Sequence, residues 1–104
     1  MITIGSNIMF VISLTYVCSL EDVEKWLSDH IAFLDKHYAQ GIFLASGRKV
    51  PRTGGVILAI ADTRAQLIDL LEDDPFYQHG LAEYDITEFI PTKTAQELSF
   101  LLEK

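Results

Sequence analysis

The side chains able to do chemistry in this chain of 104 residues fall into three groups: three histidines, an acidic triplet and a basic run. Histidine can exchange a proton near neutral pH, so His30, His37 and His79 are candidates for acid–base work. They are not candidates for a metal centre: no two are spaced i, i+4 and no Cys/His cluster accompanies them. Glu72-Asp73-Asp74 ends a helical segment, where carboxylates oppose the helix dipole at ~0.3–1 kcal/mol each when poorly screened. A local rule broken in this way marks either a functional site or an ordinary Asp-Pro turn with solvated charges. Arg48, Lys49 and Arg52 place three of the eight basic residues within five positions, just after Ser46-Gly47. Such a run is either an exposed hairpin loop or a contact for an anionic ligand. Cys18, beside the end of the first strand, reads as core or rim rather than as a nucleophile.

The elements that position these residues follow from local pattern. Residues 9–17 (MFVISLTYV) are β-branched and aromatic and predict a strand. Ser19 is a plausible N-cap, and Leu20, Val23, Leu27, Ile31, Leu34 and Tyr38 recur at steps of three and four, predicting an amphipathic helix stopped at Gly41. Short strands are expected at 42–47 (IFLASG) and 56–61 (VILAIA), joined by a loop with Pro51 and Gly54-Gly55. Thr63 and Gln66 form a capping box for a second helix through about Leu71, which Asp74-Pro75 ends. Residues 82–90 (AEYDITEFI) predict a fourth strand. Thr94 and Glu97 repeat the capping-box spacing before a short final helix carrying Leu98, Leu101 and Leu102. The order βαββαβ plus a C-terminal helix is that of an α+β, ferredoxin-like domain with a four-stranded antiparallel sheet. Residues 1–8 read as an N-terminal leader and 9–104 as a single domain.

Composition narrows the partners. The formal net charge is −7 and no basic stripe is present, which argues against nucleic acid and anionic membranes. The apolar run from Ile8 to Val17 is too short to span a bilayer, and the first basic residue, Lys25, follows it rather than precedes it, unlike a signal peptide. A single cysteine, Cys18, permits no internal disulfide and suggests a cytoplasmic setting. The hydrophobic fraction of 49% is high for a short soluble chain. Strands one and three are apolar on both faces, through Phe10, Val11, Ile12, Leu14 and Val56, Ile57, Leu58, Ile60. With both helices on one face, the other needs a cover: a second copy in a homodimer, or the final helix of a monomer.

Four pieces of the sequence together resemble the YCII-related family, small proteins of dimeric α/β-barrel build. These are His30 within HIAFLDKHYAQG, the Ser46-Gly47 turn, the GGVILAIAD strand before helix two, and Asp74-Pro75-Phe76 followed by Gly80. They span residues 9–91. One position departs from the family: relatives usually carry Pro directly after the strand-two Gly, where this chain has Arg48. The resemblance implies that His30 and Asp74 form a catalytic pair, that Ser46, Gly47, Arg48 and Phe76 line a substrate pocket, and that neither metal nor cofactor takes part. A carboxylate on one ring nitrogen fixes the tautomer and orientation of a histidine. Such a pair suits elimination, lyase or isomerase chemistry on a small polar ring compound, with an anion among the candidate ligands. Two other readings stand beside it: a structural His30 in a non-catalytic ligand-binding or regulatory dimer, and, more remotely, an oxygenase of related fold.

Overall fold

The computed structural model describes residues 8–102, so the expected leader lies outside the described residues except for Ile8. The elements are β1 (Ile8–Tyr16), α1 (Leu20–Ala39), β2 (Phe43–Arg48), β3 (Gly54–Ala61), α2 (Arg64–Leu71), α3 (Pro75–Gln78) and β4 (Ala82–Phe89), followed by a 3-10 helix at Gln96–Leu101. The sheet runs β2-β3-β1-β4, every neighbour antiparallel, which is the ferredoxin-like order expected from the sequence.

Caps set the helix limits. The Ser19 hydroxyl accepts the Asp22 N–H at 3.2 Å and the Thr63 hydroxyl accepts the Gln66 N–H at 3.1 Å. Gly41 follows α1 with φ +75°, a left-handed turn that favours glycine. The four-residue α3 was not foreseen. Asp74 is its N-cap and Pro75 opens it, so the Asp-Pro pair that ends α2 also starts a new helical turn.

Phe10, Ile12 and Leu14 of β1 and Ile57 and Ala59 of β3 point to one face of the sheet. There they meet Val23 and Phe33 of α1, Leu67 and Leu71 of α2, and Phe76 of α3. Cross-strand pairs Phe10–Ala59 and Ile12–Ile57 lock this register, since a one-residue slip would turn the whole set away from the helices. On the opposite face Val11, Val56, Leu58 and Ile60 are half-buried. Among the described residues no helix is long and apolar enough to cross a membrane.

Two expectations need correction. The buried residues of α1 are Val23, His30, Phe33 and His37; of the stripe read from hydrophobicity, Val23 is buried and Leu27 and Leu34 are half-buried, but Leu20 and Ile31 are 44% and 46% exposed. The helix is rotated towards its histidines, because both have partners that make their burial tolerable. The second capping box does not form: the 3-10 helix begins after Ala95 with no side-chain cap, and the Thr94 hydroxyl is buried without a partner among the described residues. Six residues ending on one buried leucine, Leu101, supply too little packing to hold a full α-helix.

Candidate active site

A cavity of about 340 Å³ opens between α1, β2, β3 and α3. Its floor follows from strand register. Leu14, Gly55 and Arg48 lie side by side across β1, β3 and β2, and Ile12, Ile57 and Ser46 form the next row. Gly55 has no side chain between Leu14 and Arg48, which leaves the space; a Cβ there would stand 3.1 Å from the Gly47 carbonyl oxygen. At the neighbouring Gly54 a Cβ would fall 1.7 Å from the Leu14 carbonyl oxygen, so only glycine lets β3 run this close to β1.

His30 enters from α1. Its Nδ1 lies 2.8 Å from Asp74 Oδ1, and its ring stacks on Phe76 with centroids 3.9 Å apart and planes 4° from parallel. Asp74 is fully buried yet well supplied with donors. Its Oδ1 also accepts the Phe76 N–H at 3.0 Å, and its Oδ2 accepts the Tyr84 hydroxyl at 2.5 Å. An ionised carboxylate only accepts, so the proton in the His30–Asp74 contact resides on Nδ1. Nε2 then carries the free lone pair. It has no partner among the described residues and, unlike the second nitrogen of His37, is not sealed from solvent.

Tyr84 was not singled out in the sequence, although the half-buried alternation of Ala82, Tyr84 and Ile86 on β4 places its ring on the helix-covered face opposite Leu14. Burial first, and the Asp74 charge second, push its phenol well above the usual tyrosine range. It therefore stays protonated and donates to Asp74. A second stack, Trp26 on His79 at 3.7 Å, ties the far end of α3 to α1.

Five of the sequence-derived site residues, His30, Ser46, Gly47, Arg48 and Phe76, line the cavity, and the sixth, Asp74, stands behind His30. The Tyr38 and Ser46 hydroxyls share a 2.7 Å hydrogen bond. The basic run separates into different roles. Arg52 and Arg48 both line the cavity, but Arg52 pairs with Glu24 at 2.7 Å, and Lys49 donates to the Thr15 hydroxyl at 3.1 Å. Cys18 is half-buried with its thiol towards the Leu81 carbonyl, and desolvation, then Asp22, raises its pKa. That makes it a poor nucleophile, in keeping with a place at the core rim.

No curated protein matches the chain significantly. A solved structure that resembles it is 5-chloro-2-hydroxyhydroquinone dehydrochlorinase from Burkholderia phenoliruptrix AC1100 in complex with 2,5-dihydroxybenzoquinone. The two share 18% sequence identity and a TM-score of 0.68, over 86% of this chain and 97% of that one, which establishes a common fold. The sequence profile of the YCII-related domain matches residues 9–90, nearly the whole of the α+β unit that builds the cavity. The chain belongs to the YCII-related domain family.

Proposed function

We propose that the protein is an acid–base enzyme acting on a small polar ring compound, with His30 as the proton-transfer group and Asp74 as the residue that orients it. The observation that carries this reading is the 2.8 Å His30–Asp74 contact behind a cavity onto which Nε2 opens. Nε2 takes a proton from a ring hydroxyl or an activated C–H, and a leaving group departs or the double bonds rearrange. The proton now on Nε2 is then returned to the product or to water. Asp74 stabilises the imidazolium formed in between, while Tyr84 and the Phe76 N–H keep the carboxylate from turning away. Neither step calls on a cofactor. The fold shared with a dehydrochlorinase of a chlorinated hydroxyhydroquinone supports elimination as the first reaction to assay.

The test is turnover of chlorinated and unchlorinated hydroxyquinols, followed by chloride release and quinone absorbance. His30→Gln should lower the rate by roughly 10²–10⁴-fold, the usual worth of a positioned acid or base. Undiminished turnover by His30→Gln would overturn the assignment. Ligand binding without turnover of any compound would favour the non-catalytic dimer instead.

We also propose that the molecule is a cytoplasmic homodimer, closed over the sheet face that carries Val11, Val56, Leu58 and Ile60. Half-buried apolar residues on a face not covered by α1 or α2 support it. Light scattering should give twice the chain mass of 11.7 kDa at low micromolar concentration, and the single mass would overturn the proposal.

A further inference from the structure

The cavity is electrostatically one-sided. The chain carries 15 acidic and 8 basic residues, yet among the described residues the cavity lining includes two arginines and not one Asp or Glu. The two arginines differ. Arg52 is engaged by Glu24, in an ion pair shared with solvent. Arg48 has no ion pair or side-chain hydrogen bond among the described residues, so its guanidinium is the unspent cation of the site. Register fixes where it stands: beside the bare position of Gly55, in the row of Leu14 and on the helix-covered face. His30 lines the same cavity, and much of the remaining wall is apolar, from Leu27, Ile31 and Leu34 of α1, Leu14 of β1 and Ile57 of β3.

We propose that Arg48 is a carboxylate-recognition residue and that the cavity takes a monocyclic carboxylate, its ring against the apolar wall and its reacting edge towards His30 Nε2. The orientation towards His30 rests on the acid–base reading above; the charge preference does not. A planar guanidinium matches a carboxylate with two parallel hydrogen bonds. A volume of about 340 Å³ is near the lower end for small-molecule sites, roughly 300–1,000 Å³, which suits one ring rather than two. A phosphate dianion would call for a second free cation, and Arg52 is already engaged.

Ligand-observed NMR on the full chain tests this with matched probes: benzoate, para-hydroxybenzoate and nicotinate against benzamide, para-hydroxybenzamide and nicotinamide. At least one carboxylate should bind about tenfold tighter than its amide, a difference of about 1.4 kcal/mol, and should shift the His30 ring signals. The preference should vanish in Arg48→Met and persist in Arg52→Met. It should also persist in His30→Gln, which lacks the acid–base group, so the recognition claim and the catalytic claim can fail separately. The proposal is overturned if no carboxylate outbinds its amide, if Arg48→Met keeps the preference, or if inorganic phosphate competes as well as the carboxylates do.

Discussion

His30 and His37 lie two turns apart on one buried face of α1, each packed against aromatic rings, and they are built for different ends. His30 has a fully buried carboxylate on Nδ1 and a cavity beside Nε2. His37 has the neutral Gln40 amide on Nδ1 at 3.1 Å, Phe33 and Phe43 around its ring, and a buried Nε2 with no partner among the described residues. The first arrangement tolerates a positive ring and gives it something to react with. The second does neither: a proton on the sealed nitrogen of His37 would have no acceptor. Burial alone therefore does not mark a functional histidine. What separates the two is the partner on one nitrogen and the access of the other.

The sharpest way to widen that difference is to remove each partner in turn. Asp74→Ala leaves His30 Nδ1, the Tyr84 hydroxyl and the Phe76 N–H without their acceptor, and should cost at least about 3 kcal/mol, since each buried donor left unsatisfied costs roughly 1–3 kcal/mol. Gln40→Ala removes one partly exposed hydrogen bond and should cost less than about 1 kcal/mol. Urea unfolding of the two variants measures both, and equal losses would erase the distinction.

Tyr84 supports only the His30 side, so Tyr84→Phe should follow with a loss of about 1.5–3 kcal/mol, the range for hydrogen bonds to charged groups. It should also change the alkaline limb of the stability profile. The phenol of the unfolded chain ionises near pH 10, roughly the ordinary tyrosine value. In the folded protein, burial and the Asp74 charge keep it protonated above that. Its contribution is therefore whole below the ordinary tyrosine pKa and declines as pH rises beyond it, by up to about 1.4 kcal/mol per pH unit. Tyr84→Phe should make the decline shallower by one ionisation, read from melting curves across alkaline pH. Identical slopes would mean that Tyr84 is not held as described.

His37→Phe should have the smallest effect. It removes a buried nitrogen that has no partner and places an apolar ring among Phe33 and Phe43, so stability should stay within about 1 kcal/mol of the parent. Turnover, once a substrate is in hand, should be unchanged. A loss of activity here with stability intact would bring His37 into the site and end the contrast.

The strand order and both long helices were legible in the sequence, because β-branched runs and capping residues are local signals. Ser19, Gly41 and Thr63 act as their types suggest. The rotation of α1 was not legible. Hydrophobicity alone favours Leu20, Ile31 and Tyr38 over two histidines, and only the tertiary partners Asp74 and Gln40 reverse the order. Asp74 and Arg48 could be singled out, the first by the broken helix-end rule and the family motif, the second by its charge run. Tyr84 could not, since nothing local links a strand residue to a carboxylate ten positions earlier. The capping-box spacing at Thr94 and Glu97 misled because capping stabilises a helix that packing already favours, and here only Leu101 is buried.

The central claim is that Asp74 holds the proton of neutral His30 on Nδ1 and leaves Nε2 as the free base facing the cavity. Long-range ¹H–¹⁵N correlation NMR at mildly alkaline pH reads the ring tautomer without a substrate. The account predicts the Nδ1–H form for His30, with an unprotonated Nε2 whose resonance moves when a ligand enters the cavity. A His30 ring found with its proton on Nε2, or an Nε2 resonance indifferent to a bound ligand, would contradict it.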